Sequence, residues 1–223
     1  AELRHELRAR GHQFSSDADS EVLLHLYAEH GPHMLERLDG IFAFAIRDGR
    51  DDGRPQGIER GDILVARDQL GVKPLYYCTT GRGLLFASEI KALLTVRDVP
   101  RTVDETALHS HLAYLWSPAP RTIVRGVHKL EPGCAFIARH GAVERHWRYY
   151  EMPYGTRLDT HDAAGIGEGI RQRLLAAVKR QLVADVPVGA FLSGGLDSSS
   201  VVAAARQVAP DTPLSCYCIG FDS

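Results

Sequence analysis

Residues 188–202, with the sequence VGAFLSGGLDSSSVV, constrain the fold of this chain more than any other stretch. The apolar, β-prone run of residues 186–192 predicts a buried strand, and the pattern of residues 197–207 predicts a helix. Between them, Gly194-Gly195 permits a sharp turn of the backbone. A helix that begins directly after such a turn offers unpaired N–H groups and the positive end of its dipole.

This turn is a predicted anion site, because N–H groups at the start of a helix attract negative charge, and a nucleotide phosphate is the anion expected there. Ser193, Ser198 and Ser199 add hydroxyl donors around the same point. Asp197 would put a carboxylate among phosphates, which is reasonable if a divalent cation bridges them. The plainer alternative is a turn without a ligand, with Asp197 acting only as a partner of the helix dipole.

A turn without a ligand would not require the particular string SGGLDSS that stands at residues 193–199. This string resembles the pyrophosphate loop of the ATP-pyrophosphatases, which cleave ATP between the α and β phosphates. It is not a Walker A loop, because the lysine of G-x-x-x-x-G-K-[ST] is absent. It is not a nucleophile elbow either, because Ser193 lacks the G-x-S-x-G frame.

Composition excludes several classes of protein. The 223 residues suffice for one large domain or parts of two. With 26 basic and 28 acidic residues, the chain has no charge excess that would favour nucleic acid or an anionic membrane. No apolar run approaches the ~18 residues of a membrane span, and the charged first residues are unlike a signal peptide. We therefore expect neither nucleic acid nor membrane as a partner.

The cysteines and histidines show no metal-ligand spacing along the sequence. Cys216 and Cys218 would share one face of a strand and are expected to be small buried residues. The four cysteines of the chain lack a disulfide-like pattern, so a reducing cytoplasm is the default location. His109 and His111 would face together only in a strand, and the eleven histidines are interpreted as surface or packing residues.

A change of periodicity divides the chain. After two amphipathic helical segments, short strands joined by tight turns predict an antiparallel meander. The strands are expected at residues 41–48, 62–68, 75–78 and 84–87, and in a hairpin of 134–138 with 143–149, after a loop at 123–133. Residues 152–160 are interpreted as a linker. A long helix, strand, helix and strand then predict the start of a parallel α/β sheet. The predicted domains are residues 1–150 and 151–223.

Long motifs in both halves occur in a fixed order. They are F-x4-DSEV from Phe14, LDGIFAF at 38–44, RDQLGVKPLYY at 67–77, FASEIKAL at 86–93, DVPVG at 185–189 and the SGGLDSS loop. Together they resemble the glutamine-hydrolysing asparagine synthetases over nearly the whole chain. Agreement of several long motifs is much more specific than one short match.

The resemblance implies two coupled sites. A class II glutaminase domain, of the N-terminal-nucleophile type with antiparallel sheets and helices, would free ammonia from glutamine. An ATP-pyrophosphatase domain with a parallel sheet would use ATP and Mg²⁺ to activate aspartate as an acyl-adenylate, releasing pyrophosphate. Ammonia would then attack the adenylate to give asparagine and AMP. Glutamine, aspartate and ATP are the implied ligands, and a homodimer is compatible with the resemblance.

The resemblance also assigns residues to the glutamine side. Asp19 matches the acid that holds the α-amino group of glutamine, although taken by itself Asp19 is a natural helix N-cap. Arg67-Asp68 and Lys73 are interpreted as a set that stabilises a turn and are not nominated as site residues.

The resemblance assigns a larger set of residues to the ATP site. Leu192 matches a residue whose backbone contacts adenine, and Ile219 matches another residue of the adenine pocket. The pyrophosphate loop is matched by Ser193, Gly194, Gly195, Asp197 and Ser198. Asp197 is the implied magnesium ligand.

The chain departs from the family at the catalytic residue. The glutaminase nucleophile of the family is an N-terminal cysteine whose free amine assists as a base. Here residue 1 is Ala, and the first cysteine is Cys78. We therefore interpret the chain as an internal fragment that holds no catalytic residue and is inactive by itself.

Two alternatives stay open. A relative with the same fold could adenylate another carboxylate, as in a β-lactam-forming synthetase or an amidotransferase that modifies peptides or polysaccharides. A protein of another class could use the glutaminase fold only for structure or interaction, without catalysis.

Overall fold

A computed structural model of the chain describes residues 2–51, 53, 55, 57–155, 162–184 and 186–220. The chain forms two compact units, Ala1–Tyr154 and Gly155–Ser223, each with its own hydrophobic core. Most of the predicted linker, residues 156–160, lies outside the described residues. Within the residues that the structure describes, no helix combines the length and the apolar character needed to cross a membrane.

The first unit combines helices with two antiparallel sheets. Its elements in chain order are α1 (Glu2–Ala9), α2 (Asp19–His30), a 3₁₀ helix (Gly31–Arg37), β1 (Ala43–Arg47), β2 (Ile63–Arg67), β3 (Tyr76–Thr80), β4 (Gly83–Ala87), α3 (Ile90–Leu93), α4 (Glu105–Tyr114), β5 (His128–Lys129), β6 (Cys134–Arg139) and β7 (Ala142–Arg148). Gly31 ends α2 with a left-handed φ of 55°. His109 and His111 lie on the helix α4 rather than on a strand.

The central strands β2 and β6 are buried on both faces, so their sequences read as continuous apolar runs. The four-stranded sheet has the order β1-β2-β6-β7, and the second sheet has the order β4-β3-β5. On one face, Leu64 and Ile137 pack with Leu7 and Leu26 of the helices. On the other face, Val65, Phe136 and their neighbours pack against residues of and beside the second sheet, including Leu75, Tyr77 and Leu84. The unit is therefore layered as helices, sheet and sheet.

The strand connectivity differs from the predicted meander. β2 pairs with β6 rather than with β3, and β3 starts a separate sheet with β4. The predicted loop at 123–133 also contains β5, which pairs Lys129 with Tyr76 and His128 with Tyr77. Two residues are too few to produce a recognisable alternation, so sequence periodicity could not reveal this strand.

The second unit begins with a long helix. Its elements are α5 (Ala163–Gln181), β8 (Gly189–Phe191), α6 (Leu196–Val208) and β9 (Ser215–Tyr217). The glycine-rich start of α5 is helical because the Asp162 carboxylate caps it, accepting a hydrogen bond of 3.0 Å from the Gly165 N–H. Val178 of α5 packs against Ala204 and Ala205 of α6, which forms the core of this unit.

β8 and β9 form a parallel pair, as predicted, but both are short and exposed. Phe191 is 82% exposed and Tyr217 is 59% exposed, so the prediction of a buried strand at 186–192 is wrong. Cys216 and Cys218 are exposed as well, against expectation. Parallel sheets are usually buried because helices cover both of their faces. The described part of this unit has only two strands and two helices, which leave β8 and β9 largely exposed. The mixed α+β class with antiparallel sheets, followed by parallel pairing, is confirmed.

Candidate functional site

The predicted phosphate loop connects β8 to α6. Gly194 has a φ of +79°, a left-handed conformation that glycine adopts at little cost. Gly195 is the N-cap of α6, and it has no side chain to accept hydrogen bonds from the first helical turn. Those N–H groups therefore lack a side-chain cap, and an anion could accept hydrogen bonds from them.

Two serine hydroxyls close the loop. Ser193 Oγ lies 3.0 Å from Ser198 Oγ, and Ser198 Oγ donates a hydrogen bond of 3.3 Å to the Gly195 carbonyl oxygen. Ser193 is exposed and Ser198 is partly exposed. Both hydroxyls are thereby held at the start of α6, where they could donate to a phosphate.

The carboxylate of Asp197 is exposed in the first turn of the same helix. Negative charge is favourable there because of the helix dipole, but it would repel a bound phosphate. A hard divalent cation with oxygen ligands would remove that repulsion, and Mg²⁺ is commonly held by one or two carboxylates together with phosphate oxygens. The donors and the carboxylate of this loop therefore fit a magnesium–nucleotide complex.

Leu192 and Ile219 lie at one edge of the parallel pair. Leu192 directly follows β8, and its N–H donates to the Tyr217 carbonyl oxygen of β9 at 2.8 Å. Ile219 follows the end of β9 and is 77% exposed. Ligands of open α/β sheets bind outside the carboxyl ends of the strands, which is the edge that both residues and the phosphate loop share.

Gly189 is a positioning residue that the sequence analysis did not single out. It pairs with Ser215, and a Cβ at Gly189 would lie 2.9 Å from Tyr217 Cε2 and 3.2 Å from the Ser215 carbonyl oxygen. A side chain there would displace the exposed Tyr217 ring and would move the Ser215 carbonyl oxygen of β9 by a few tenths of an ångström. A glycine inside an apolar strand was the available signal, because it often marks a close approach of backbones.

On the glutamine side, Asp19 is the first residue of α2 and is exposed. The N-cap of α2 is Ala18, and no side-chain hydrogen bond caps the helix. The alternative interpretation of Asp19 as an N-cap is therefore wrong. Its exposed carboxylate at the start of a helix could bind an ammonium group.

Glu21 fixes the segment that leads into Asp19. Its carboxylate accepts hydrogen bonds from the backbone N–H of Ser15 at 2.7 Å and of Ser16 at 2.8 Å. Both serine hydroxyls donate to it as well, at 2.9 and 2.7 Å. These bonds lower the pKa of Glu21 to about 2, with the Ser15 N–H as the largest cause. The sequence analysis quoted Glu21 only as part of a motif and missed this role.

Arg67 and Asp68 stabilise the turn after β2, as predicted. The Arg67 guanidinium donates to three carbonyl oxygens, those of Lys73 at 2.7 Å, Gly71 at 2.5 Å and Leu130 at 2.5 Å. The Asp68 carboxylate accepts from the N–H groups of Leu70, Val72 and Lys73. Lys73 takes part through its backbone in these bonds. Burial lowers the pKa of Arg67.

Comparison with known proteins matches both halves of the chain. A family model described as a glutamine amidotransferase domain matches residues 1–150, and one described as asparagine synthase matches residues 169–223. The chain is 40% identical over 225 residues to the glutamine-hydrolyzing asparagine synthetase 3 of Bacillus subtilis (strain 168), covering 99% of this chain and 35% of that protein.

A second relative has a different name. The amidase chyE of Penicillium rubens is 38% identical over 192 residues, which cover 85% of this chain and 26% of that protein. A solved glutamine phosphoribosylpyrophosphate amidotransferase from B. subtilis, complexed with ADP and GMP, covers 97% of this chain and 42% of its own. Its TM-score is 0.45 at 18% identity.

This chain spans about a third of the length of the curated relatives it matches. The match to the first family model covers two thirds of the chain, residues 1–150 of 223. It includes every helix and strand of the first unit. The chain belongs to the family of glutamine amidotransferase domains.

Proposed function

We propose that this chain is part of a glutamine-dependent asparagine synthetase, which amidates aspartate at the expense of ATP. One observation carries the proposal. The intact SGGLDSS loop lies at the start of α6, on the carboxyl edge of a parallel strand pair, in a unit whose sequence matches the asparagine synthase family. A nucleotide phosphate is the anion that this geometry suits.

Each residue of the loop has a role in the proposal. Ser193 and Ser198 donate hydroxyl hydrogen bonds, and the N–H groups around Gly194 and Gly195 face the pyrophosphate. Asp197 holds Mg²⁺, which offsets the phosphate charge. Leu192 and Ile219 border the adenine. ATP supplies the adenylyl group that activates the aspartate carboxylate, with pyrophosphate leaving.

In this proposal the first unit binds glutamine, which is the source of the ammonia. Asp19 binds the α-amino group of glutamine, and Glu21 keeps the segment before it in place. All four cysteines are free thiols, which is compatible with a cytoplasmic location for the enzyme.

The test is pyrophosphate release by the protein that carries this chain. Release should require ATP, Mg²⁺ and aspartate together, and asparagine should form when glutamine is added. Asp197→Asn should lower the rate by about a hundredfold, a loss typical of removing one charge-stabilising group. Asp211→Asn, an exposed aspartate in the same unit, should leave the rate unchanged. Release that does not depend on aspartate would contradict the proposal.

The similarity to an amidase supports a second candidate, an amidotransferase that adenylates another carboxylate. The same assay separates the two candidates. Under the second candidate, pyrophosphate is released with a different carboxylic acid and not with aspartate, while the Asp197→Asn variant still loses activity.

A further inference from the structure

Three potential metal ligands meet where β6 begins. Glu131, Cys134 and His146 each offer one ligand atom, and these atoms all lie within 4.8 Å of one another. None of the three belongs to the proposed glutamine or ATP sites. Along the sequence their spacing is irregular, and only the pairing of β6 with β7 brings them together.

The backbone holds the three residues in fixed positions. Glu131 and Cys134 are the ends of a tight turn, in which the Cys134 N–H donates to the Glu131 carbonyl oxygen at 3.2 Å. Gly133, inside this turn, has a φ of +64° and accepts from the Tyr149 N–H at 2.8 Å. This bond attaches the turn to the end of β7.

Strand register explains why His146 reaches the same point. Cys134 pairs with Arg148, and Phe136 pairs with His146. Since side chains alternate along a strand, Cys134 and His146 are diagonal neighbours on one face of the sheet. The cysteine is buried, whereas the His146 and Glu131 side chains remain 35% and 30% exposed, so the cluster opens to solvent on their side.

The two oxygens of Glu131 have different neighbours. Oε1 lies 3.3 Å from Arg148 Nη2, while Oε2 lies 3.9 Å from His146 Nε2. The second distance is too long for a hydrogen bond. Two ligand atoms of a tetrahedral Zn²⁺ lie about 3.3–3.8 Å apart, so these three atoms, which are within 4.8 Å of one another, would draw closer together on binding the ion. Arg148 would then orient the carboxylate from outside, as second partners of metal ligands commonly do.

We propose that Glu131, Cys134 and His146 bind Zn²⁺, with water as the fourth ligand. A thiolate, an imidazole and a carboxylate form a ligand set typical of zinc. Magnesium and calcium prefer oxygen ligands and would not use the thiol. The ion would link the turn at residues 131–134 to β7.

Binding requires that the thiol lose its proton. Burial raises the pKa of Cys134, and the nearby Glu131 charge raises it further, while Arg148 lowers it. Burial also raises the pKa of the Tyr77 phenol, and the nearby charges of Glu131 and Cys134 raise it further. Zn²⁺ would replace the thiol proton, which passes to solvent as the zinc–sulfur bond forms, so affinity should increase with pH.

The test is a titration of the full chain with Co²⁺ and Zn²⁺. Cys216→Ser and Cys218→Ser are introduced first, because these exposed thiols could bind metal independently. One Co²⁺ per chain should bind with thiolate-to-cobalt absorption in the near ultraviolet, and Zn²⁺ should displace it. Cys134→Ser and His146→Gln should each weaken binding by at least about a hundredfold, because losing even an outer hydrogen-bond partner of a metal ligand costs about ten- to a hundredfold. His109→Gln, an exposed histidine on α4, is the matched control.

Two results would overturn the proposal. One is the lack of thiolate-to-cobalt absorption in the chain without Cys216 and Cys218. The other is an affinity that His146→Gln does not change, and since His146 is exposed, this variant should fold. A rise in melting temperature with Zn²⁺ that His146→Gln abolishes would support the proposal independently.

Discussion

Ser193 Oγ and Ser198 Oγ lie 3.0 Å apart across the start of α6. The five-residue separation is spanned by a turn with a left-handed Gly194 and by the cap residue Gly195. The two hydroxyls, the uncapped N–H groups of the helix and the Asp197 carboxylate therefore converge on one small region. This convergence is the basis of the proposed nucleotide site.

Loss of either hydroxyl should weaken nucleotide binding. Ser193→Ala and Ser198→Ala each remove a donor to a charged phosphate, a bond worth about 1.5–3 kcal/mol, so affinity for Mg·ATP should fall about tenfold or more. Ser215→Ala, on β9 of the same unit, should have no effect. Isothermal titration calorimetry with the chain measures all three, and equal affinities would exclude the hydroxyls from the site.

Gly194→Ala should strain the loop through its backbone. A Cβ at Gly194 would meet nothing within 4 Å, so the expected cost of about 1–2 kcal/mol comes only from the left-handed φ of +79°. Gly167→Ala in α5, also without a neighbour within 4 Å, should instead stabilise by about 0.5–1 kcal/mol, because alanine favours helix. Denaturant unfolding followed by circular dichroism compares the two, and effects of equal sign would contradict this assignment.

Arg67→Met should destabilise the first unit strongly. The change removes three hydrogen bonds from a charged donor. The carbonyl oxygens of Gly71, Lys73 and Leu130 each lose the hydrogen bond from Arg67. We expect a loss of about 3 kcal/mol or more in the free energy of unfolding. Arg82→Met removes an ion pair with Asp98 from a side chain that is 80% exposed, and it should cost less than about 1 kcal/mol. Urea unfolding of both variants decides the matter.

Stability of the first unit should fall at acidic pH, in part through Asp62. Arg139 donates to both Asp62 oxygens, at 3.0 and 2.8 Å, and these hydrogen bonds hold the pKa of Asp62 below its ordinary value. A carboxyl group with a lowered folded pKa contributes stability above its unfolded pKa of about 3.9 and loses it as pH falls through the folded value.

Asp62→Asn should therefore cost about 2 kcal/mol at neutral pH and progressively less as pH falls below about 4. Unfolding free energies measured across this range test the expectation. The side chain of Asp17 is fully exposed, so the free energy of unfolding of Asp17→Asn should equal that of the unaltered chain at each pH. A constant cost of Asp62→Asn at every pH would show that the ion pair is not responsible.

Most elements of the first unit could be predicted from sequence because they have strong local signals. Leu3 and Leu7 mark α1, and the turns around Gly71 and Gly141 separate short apolar strands. The pairing of the strands could not be predicted. β2 pairs with β6, which lies about 70 residues further along the chain. Both strands have apolar side chains on both faces, so they fit the centre of a layered core.

For the candidate sites, the motif predicted the glycine turn at the start of α6, since its glycines, serines and aspartate are contiguous in sequence. The supporting residues were harder to find. Glu21 acts on Ser15 and Ser16 through side-chain contacts, and Gly189 acts by allowing β9 to approach. Such roles depend on what surrounds a residue, which its own sequence neighbourhood does not state.

The sequence by itself determined the local features of this protein: the glycine turn before α6, the helix that follows it and the motifs of the amidotransferase family. These features arise from backbone preferences and from residues close together in the chain. Only the tertiary structure decided which distant residues meet, as when Arg67 reaches the Leu130 carbonyl oxygen or Cys134 approaches His146. The physical reason is that strand register and burial, which arise from the packing of the whole unit, set those distances.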